Sequence, residues 1–229
     1  MKEMIKKELN ALVDTEYKAR LLQDYPAEGR PVIGVPFNRL REFSLEFVGR
    51  KDWREIVDKQ LSEETFEEMV LQALIIGVAK NKIRETLAWF AEYLQKIDTC
   101  QLCDASCLAF HPAVEYPEET LDFIRPYLES PEGFEQRFAI VTLLDHFITL
   151  DAIDQTLALF ADIRPATRYA QEALAWGYEV CFLTFQQKTI YALRKSNLSY
   201  NYFNSILDRI QKSPRISESQ RKIVGELRR

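Results

Sequence analysis

Near the middle of the chain, residues 98–111 read Asp-Thr-Cys-Gln-Leu-Cys-Asp-Ala-Ser-Cys-Leu-Ala-Phe-His. Three cysteines, a histidine and the carboxylate of Asp104 share a segment that is otherwise largely apolar. Asp104 stands among Leu102, Cys103, Ala105 and Leu108. A carboxylate so placed is partly desolvated, which is costly unless it has a partner or a task. Two readings fit: a catalytic carboxylate, or a helix residue paired with a nearby arginine.

The spacing Cys100-x2-Cys103-x3-Cys107-x3-His111 also invites a metal reading. Geometry opposes it, because eleven residues of helix span roughly 16 Å while zinc–thiolate bonds are about 2.3 Å. One helix can offer only an i, i+4 pair. Of the same residue types, only Cys181 and His146 remain elsewhere. Buried structural thiols are therefore expected, with no metal. No sequence signature supports a nucleophilic cysteine. Nor does the chain carry a Gly-rich phosphate loop, a dinucleotide fingerprint or a Ser-His-Asp pattern, so no cofactor is expected.

The elements that must position these residues read as helices almost throughout. Residues 4–22 predict a first helix, and Tyr25-Pro26-Ala27-Glu28-Gly29-Arg30-Pro31 a loop. Pro36 suits the start of a helix to about Val48, with Gly49 as its stop. Ser62 is the expected cap of a helix over 63–79. Ile83, Leu87, Phe90, Leu94 and Ile97 form a one-sided stripe, and the next helix covers roughly 101–111. Another runs from Pro117 to about Leu128. Residues 133–149 are apolar on nearly every side, which predicts a central helix. Then follow 152–163, capped by Asp151 with Asp154, and 167–183, 186–195 and 199–212. A last helix begins behind the capping box Ser217-x-x-Gln220.

Helix pairs are thus expected to begin near 64, 101, 133, 167 and 199. A helix–turn–helix unit recurring at 32 to 37 residues marks an α-solenoid. The predicted fold is all-α: a curved stack of about six HEAT-like antiparallel pairs, with residues 1–229 as one domain. First helices of successive pairs form one layer, so Asp104, Arg137 and Trp176 are expected on one concave surface. Trp53 and Trp89 read as core aromatics.

The composition is that of a globular chain, 47% apolar and 28% charged with only 7 Gly. No apolar run approaches a membrane span, and the first residues do not resemble a secretory leader. With four cysteines and no secretory context, reduced thiols and a cytoplasmic monomer are expected. The net charge of −5 argues against a uniformly basic nucleic-acid binder, yet it is unevenly spread. From Phe185 to Arg229 ten basic residues face three acids, leaving +7 there and −12 on residues 1–184. A basic end can meet a polyanion locally; an ordinary solvated helical surface is the alternative.

Several short motifs, taken in order, carry a resemblance. They are Gly34-Val35-Pro36-x-x-x-Leu40-Arg41, Leu102-Cys103-Asp104-x-Ser106, Arg137-Phe138-Ala139-Ile140-Val141 and Ala173-x-Ala175-Trp176. The last is Ile206-x-x-x-Ile210-x-x-Ser213-x-Arg215-Ile216-Ser217. On these the chain resembles the HEAT-like repeat DNA alkylation-repair family, of the AlkD type, over nearly its full length. The resemblance implies a glycosylase for positively charged N3- and N7-alkylpurines in duplex DNA, without metal or cofactor. It implies Asp104 as the catalytic carboxylate, Trp176 as a cradle tryptophan and Arg137 as the phosphate-side arginine.

One position departs from the family. Where it usually carries a tryptophan four residues before the aspartate, this chain has Cys100. A cysteine lacks the broad π surface, so weak or absent excision is expected. Tyr17 and Tyr25 are both candidates for the N-terminal aromatic. The second functional class in view is a non-catalytic HEAT-repeat scaffold that binds a protein partner.

Overall fold

The computed structural model describes residues 2–49, 53–54 and 63–228, and every regular element among them is helical. The chain divides into two compact units, Met1–Thr120 and Leu121–Arg229.

The first unit holds α1 (Lys2–Ala11), α2 (Thr15–Asp24), α3 (Phe37–Val48), α4 (Phe66–Val78), α5 (Ile83–Leu94), α6 (Cys100–Ala109) and α7 (Pro112–Glu115). The helix expected over 4–22 is two helices. Asp14 caps the second by accepting from the Tyr17 N–H at 2.9 Å, and its own N–H donates to the Gly34 carbonyl at 2.9 Å. Ser62, the expected cap of α4, lies outside the described residues. The capping is done by Thr65, whose hydroxyl accepts from the Glu68 N–H while the Glu68 side chain returns to the Thr65 N–H. Behind that box Met69, Val70, Leu71, Ala73, Leu74, Ile75 and Ile76 are all buried, so α4 is central to its unit. Where α4 and α6 end side by side, a Cβ at Gly77 would lie 2.1 Å from the Ala109 carbonyl oxygen. Only glycine permits that approach.

The boundary between the units falls within α8 (Pro117–Ile124). That helix was expected to reach Leu128, but a 3₁₀ turn over Arg125–Glu129 replaces its end. Pro126 explains the change, since it lacks the N–H that an α-helix would use there. The second unit then carries α9 (Gly133–His146), α10 (Ile153–Asp162), α11 (Arg168–Thr184), α12 (Gln186–Lys195), α13 (Tyr200–Lys212) and α14 (Glu218–Gly225). Residues 136–144 are buried without interruption, which makes α9 the central helix its sequence predicts. Asp151 does not cap α10; Ala152 occupies that position with no side-chain bond.

Inside the second unit the pairs stack in two layers. Phe134 stacks on Tyr169 with ring centroids 4.8 Å apart, and Gln136 accepts from the Ala166 N–H at 2.7 Å, so the starts of α9 and α11 lie side by side. In the other layer Lys188 reaches Asp154 at 2.7 Å and Gln220 reaches Gln186 at 2.8 Å. Both contacts join residues 34 apart. The leading helices begin at 66, 100, 133, 168 and 200, steps of 34, 33, 35 and 32 residues. This periodic all-helical order is consistent with the expected α-solenoid.

Candidate nucleic-acid interface

Asp104 is carried by α6, which Thr99 starts by accepting from the Leu102 N–H at 3.2 Å. One side of this helix is fixed in the core. Leu102, Cys103, Ser106 and Cys107 are buried, and Ser106 Oγ donates to the Leu102 carbonyl at 2.6 Å and lies 2.8 Å from the Tyr93 hydroxyl. The opposite side is an open stripe. Cys100, Asp104 and Leu108 follow each other at steps of four, the first two half-buried and Leu108 58% exposed. Cys100 therefore shares the helical face of the carboxylate, one turn before it. Upstream, Arg30 pairs with Asp98 and donates from Nε to the Glu63 carbonyl, and Gln101 donates to the Asp24 carbonyl at 2.6 Å. These bonds tie the start of α6 to the end of α2 and the loop after it.

All four cysteines are free thiols, with Cys103, Cys107 and Cys181 buried and Cys100 half-buried. His111 lies beyond the end of α6 and approaches Glu115 at 3.7 Å. Among the described residues no group of three His, Cys, Asp or Glu side chains gathers as metal ligands. Trp53 and Trp89 meet edge to face at 6.1 Å, but both are half-buried rather than in the core.

The Gly34-Val35-Pro36 motif owes its shape to a residue that sequence reading passed over. Glu67, fully buried in the first turn of α4, accepts from the N–H groups of Ile33 at 2.8 Å, Gly34 at 2.6 Å and Val35 at 3.2 Å. Gly34 sits at φ +105°, the left-handed region that lets consecutive N–H groups turn toward one carboxylate. Both candidate N-terminal aromatics are half-buried close by, and burial pushes both phenols upward, with Glu67 adding to the shift. Tyr25 also meets Phe66 edge to face at 5.5 Å. The available signal was an acid inside the apolar run Phe66–Val78.

Arg137 and Trp176 belong to the second unit, on the adjacent helices α9 and α11. Arg137 is 6% exposed and donates to the Tyr169 carbonyl at 2.9 Å, fixing the first turn of α11. Trp176 is half-buried on the open stripe of α11, which runs Tyr169, Glu172, Trp176, Val180. Three residues past Trp176 stands Glu179, buried and unnoticed in the sequence. Arg209 donates to it at 2.9 Å and Arg215 at 3.2 Å. Burial alone would raise its pKa, but hydrogen bonds from Ser213, Arg215 and Arg209 outweigh burial and hold the carboxyl below 4.5.

Elsewhere in the basic C-terminal stretch, Lys188 pairs with Asp154 and Arg228 with Asp208. Arg221 is spent on the Gln211 and Ser213 carbonyls. Much of the local +7 is thus engaged within the fold. For Arg194, Lys212 and Lys222 no partner is found among the described residues.

No helix among the described residues is long and apolar enough to cross a membrane. No curated protein and no solved structure matches the chain significantly. The sequence model of one family, described as DNA alkylation repair enzyme, matches residues 5–176, a span that holds Gly34, Glu67, Cys100, Asp104, Arg137 and Trp176. With three quarters of its length so matched, the chain belongs to the DNA alkylation repair enzyme family.

Proposed function

We propose that this protein binds duplex DNA and acts on alkylated purines with a weakened glycosylase site in which Asp104 is the reacting-side carboxylate. The observation that carries this reading is the open stripe of α6, where a half-exposed Asp104 lies within the family match and one turn from Cys100. An N3- or N7-alkylated purine already bears positive charge, so it departs with little acid assistance. The sugar left behind develops oxocarbenium character, and a fixed carboxylate stabilises that charge electrostatically.

In the second unit Trp176 offers DNA an aromatic face, and such a face is worth about 1 kcal/mol or more against a desolvated cation. Arg137 acts from behind the surface, bracing the first turn of α11 ahead of Trp176 through the Tyr169 carbonyl. The basic stretch after Phe185 supplies the attraction that the acidic remainder of the chain lacks, through cations other than those, such as Lys188 and Arg221, that are engaged within the fold. At Cys100 no aromatic wall stands beside the carboxylate, which slows excision.

A protein-scaffold role is the second reading. It is favoured by a cavity of about 530 Å³ in the first unit, lined in part by the exposed Leu45 and Tyr116. Binding to undamaged duplex across a salt series separates the two, because phosphate contacts release counterions. The proposed function predicts steep weakening with salt, together with slow release of 7-methylguanine and 3-methyladenine that Asp104→Asn abolishes. Salt-independent binding, or base release untouched by Asp104→Asn, contradicts it.

A further inference from the structure

The contacts around Glu179 single out two arginines beside Trp176. Side chains three apart on a helix are neighbours, so Glu179 adjoins Trp176 along α11. Its carboxylate is used on both oxygens: Oε2 accepts from Arg209 Nε at 2.9 Å and Oε1 from one terminal nitrogen of Arg215 at 3.2 Å. The Glu179 side chain is 8% exposed, whereas those of Arg209 and Arg215 are 40% and 57% exposed. Holding Arg209 through Nε leaves both of its terminal nitrogens for an outside acceptor. Arg215 keeps its second terminal nitrogen and its Nε.

A broad depression of about 580 Å³ adjoins Arg209 and ends at Pro214, just before Arg215; its lining includes Glu179, Ser205, Asp208, Lys212 and Ser213. Of the acids there, Glu179 is committed to the two arginines and Asp208 to Arg228, while Lys212 adds a further positive charge. Four cations therefore meet two acids at this place. Guanidinium forks fit a phosphate better than they fit a point anion, and arginines already held by a buried carboxylate lose less freedom on binding.

We propose that Arg209 and Arg215, held in place by Glu179, clamp a backbone phosphodiester of duplex DNA next to Trp176. The proposal rests on the DNA-binding reading above and extends it beyond residue 176, where the family match ends. A merely structural role for the cluster, tying α11 to α13 and to the turn at Ser213, would move stability without changing the number of phosphates neutralised.

The test is fluorescence anisotropy of the full chain on a labelled undamaged duplex across a salt series. The proteins compared are the unaltered protein, Arg209→Gln, Arg215→Gln, the double variant and Lys188→Gln. Lys188 serves as a control because it lies in the other helix layer, paired with Asp154. Each single change at the clamp should lower the log–log salt slope by about one and the double change by about two. Lys188→Gln should leave the slope in place. If the double variant does not fold, a pair of Arg→Lys changes should keep the slope while weakening binding, since charge survives and the fork does not. Unchanged slopes in folded variants, or an equal fall in Lys188→Gln, would overturn the clamp alone. An unaltered protein with no salt-dependent binding would overturn the DNA-binding reading and the clamp together.

Discussion

Asp104 and Cys100 could be related from sequence because both lie on one helix, where a separation of four places side chains on the same face. Glu179 could not, since Arg209 and Arg215 lie 30 and 36 residues away and nothing in the local run announces them. Its titration gives a direct check. Because its folded pKa lies below the ordinary 4.5, its stabilisation is complete above pH 4.5 and fades as pH falls through the lower folded value. Glu179→Gln should cost about 1–3 kcal/mol at neutral pH by breaking charged hydrogen bonds. It should also flatten the acid limb of stability measured by urea unfolding across pH. An acid limb identical to that of the unaltered protein would show that Glu179 carries no such linkage. The cysteines permit a second check. Burial pushes Cys181 up to about 12, and Cys103 and Cys107 are equally enclosed. In the native protein one thiol, Cys100, should react readily with a thiol reagent at neutral pH, and Cys100→Ser should remove that reaction. Rapid modification of several thiols before unfolding would contradict the burial described.

At the level of elements, periodicity and capping carried most of the information. The sequence rhythm placed the leading helices within two residues of their observed starts, because each pair must bury an apolar face against the next. The capping box at Ser217 forms as its spacing requires. What escaped was set by partners distant along the chain. The break at Asp14 depends on the Gly34 carbonyl, and the Gly34-Val35-Pro36 turn depends on Glu67. Glu67→Gln should therefore do more than remove a charge, since its amide would present a donor to backbone donors already buried. The expected loss is about 3 kcal/mol in denaturant unfolding, with the first unit affected locally. A loss well under about 1 kcal/mol would mean that those three N–H groups find other acceptors.

Over the whole molecule, the family match and the helical periodicity agree, and under the proposed function the charge distribution concentrates DNA contact on the C-terminal stretch. Residues 1–184 carry −12, and several cations of the +7 stretch are already paired within the second unit. Binding is thus expected to be salt-sensitive and dependent on the few cations left to the surface. The fold class was legible because apolar spacing dictates helices whatever the protein does. For the proposed chemistry the sequence offered only Asp104 and its neighbours, and Cys100, one turn before the carboxylate, makes the expected rate a question of magnitude. The decisive measurement is single-turnover release of 7-methylguanine from alkylated duplex by the unaltered protein, Asp104→Asn and Cys100→Trp. Restoring an aromatic wall one turn before the carboxylate should recover about 1–2 kcal/mol of cation–π stabilisation. The account predicts slow release by the unaltered protein, none with Asp104→Asn, and a gain of roughly ten-fold with Cys100→Trp. Fast release by the unaltered protein, or no gain in a correctly folded Cys100→Trp variant, would contradict it.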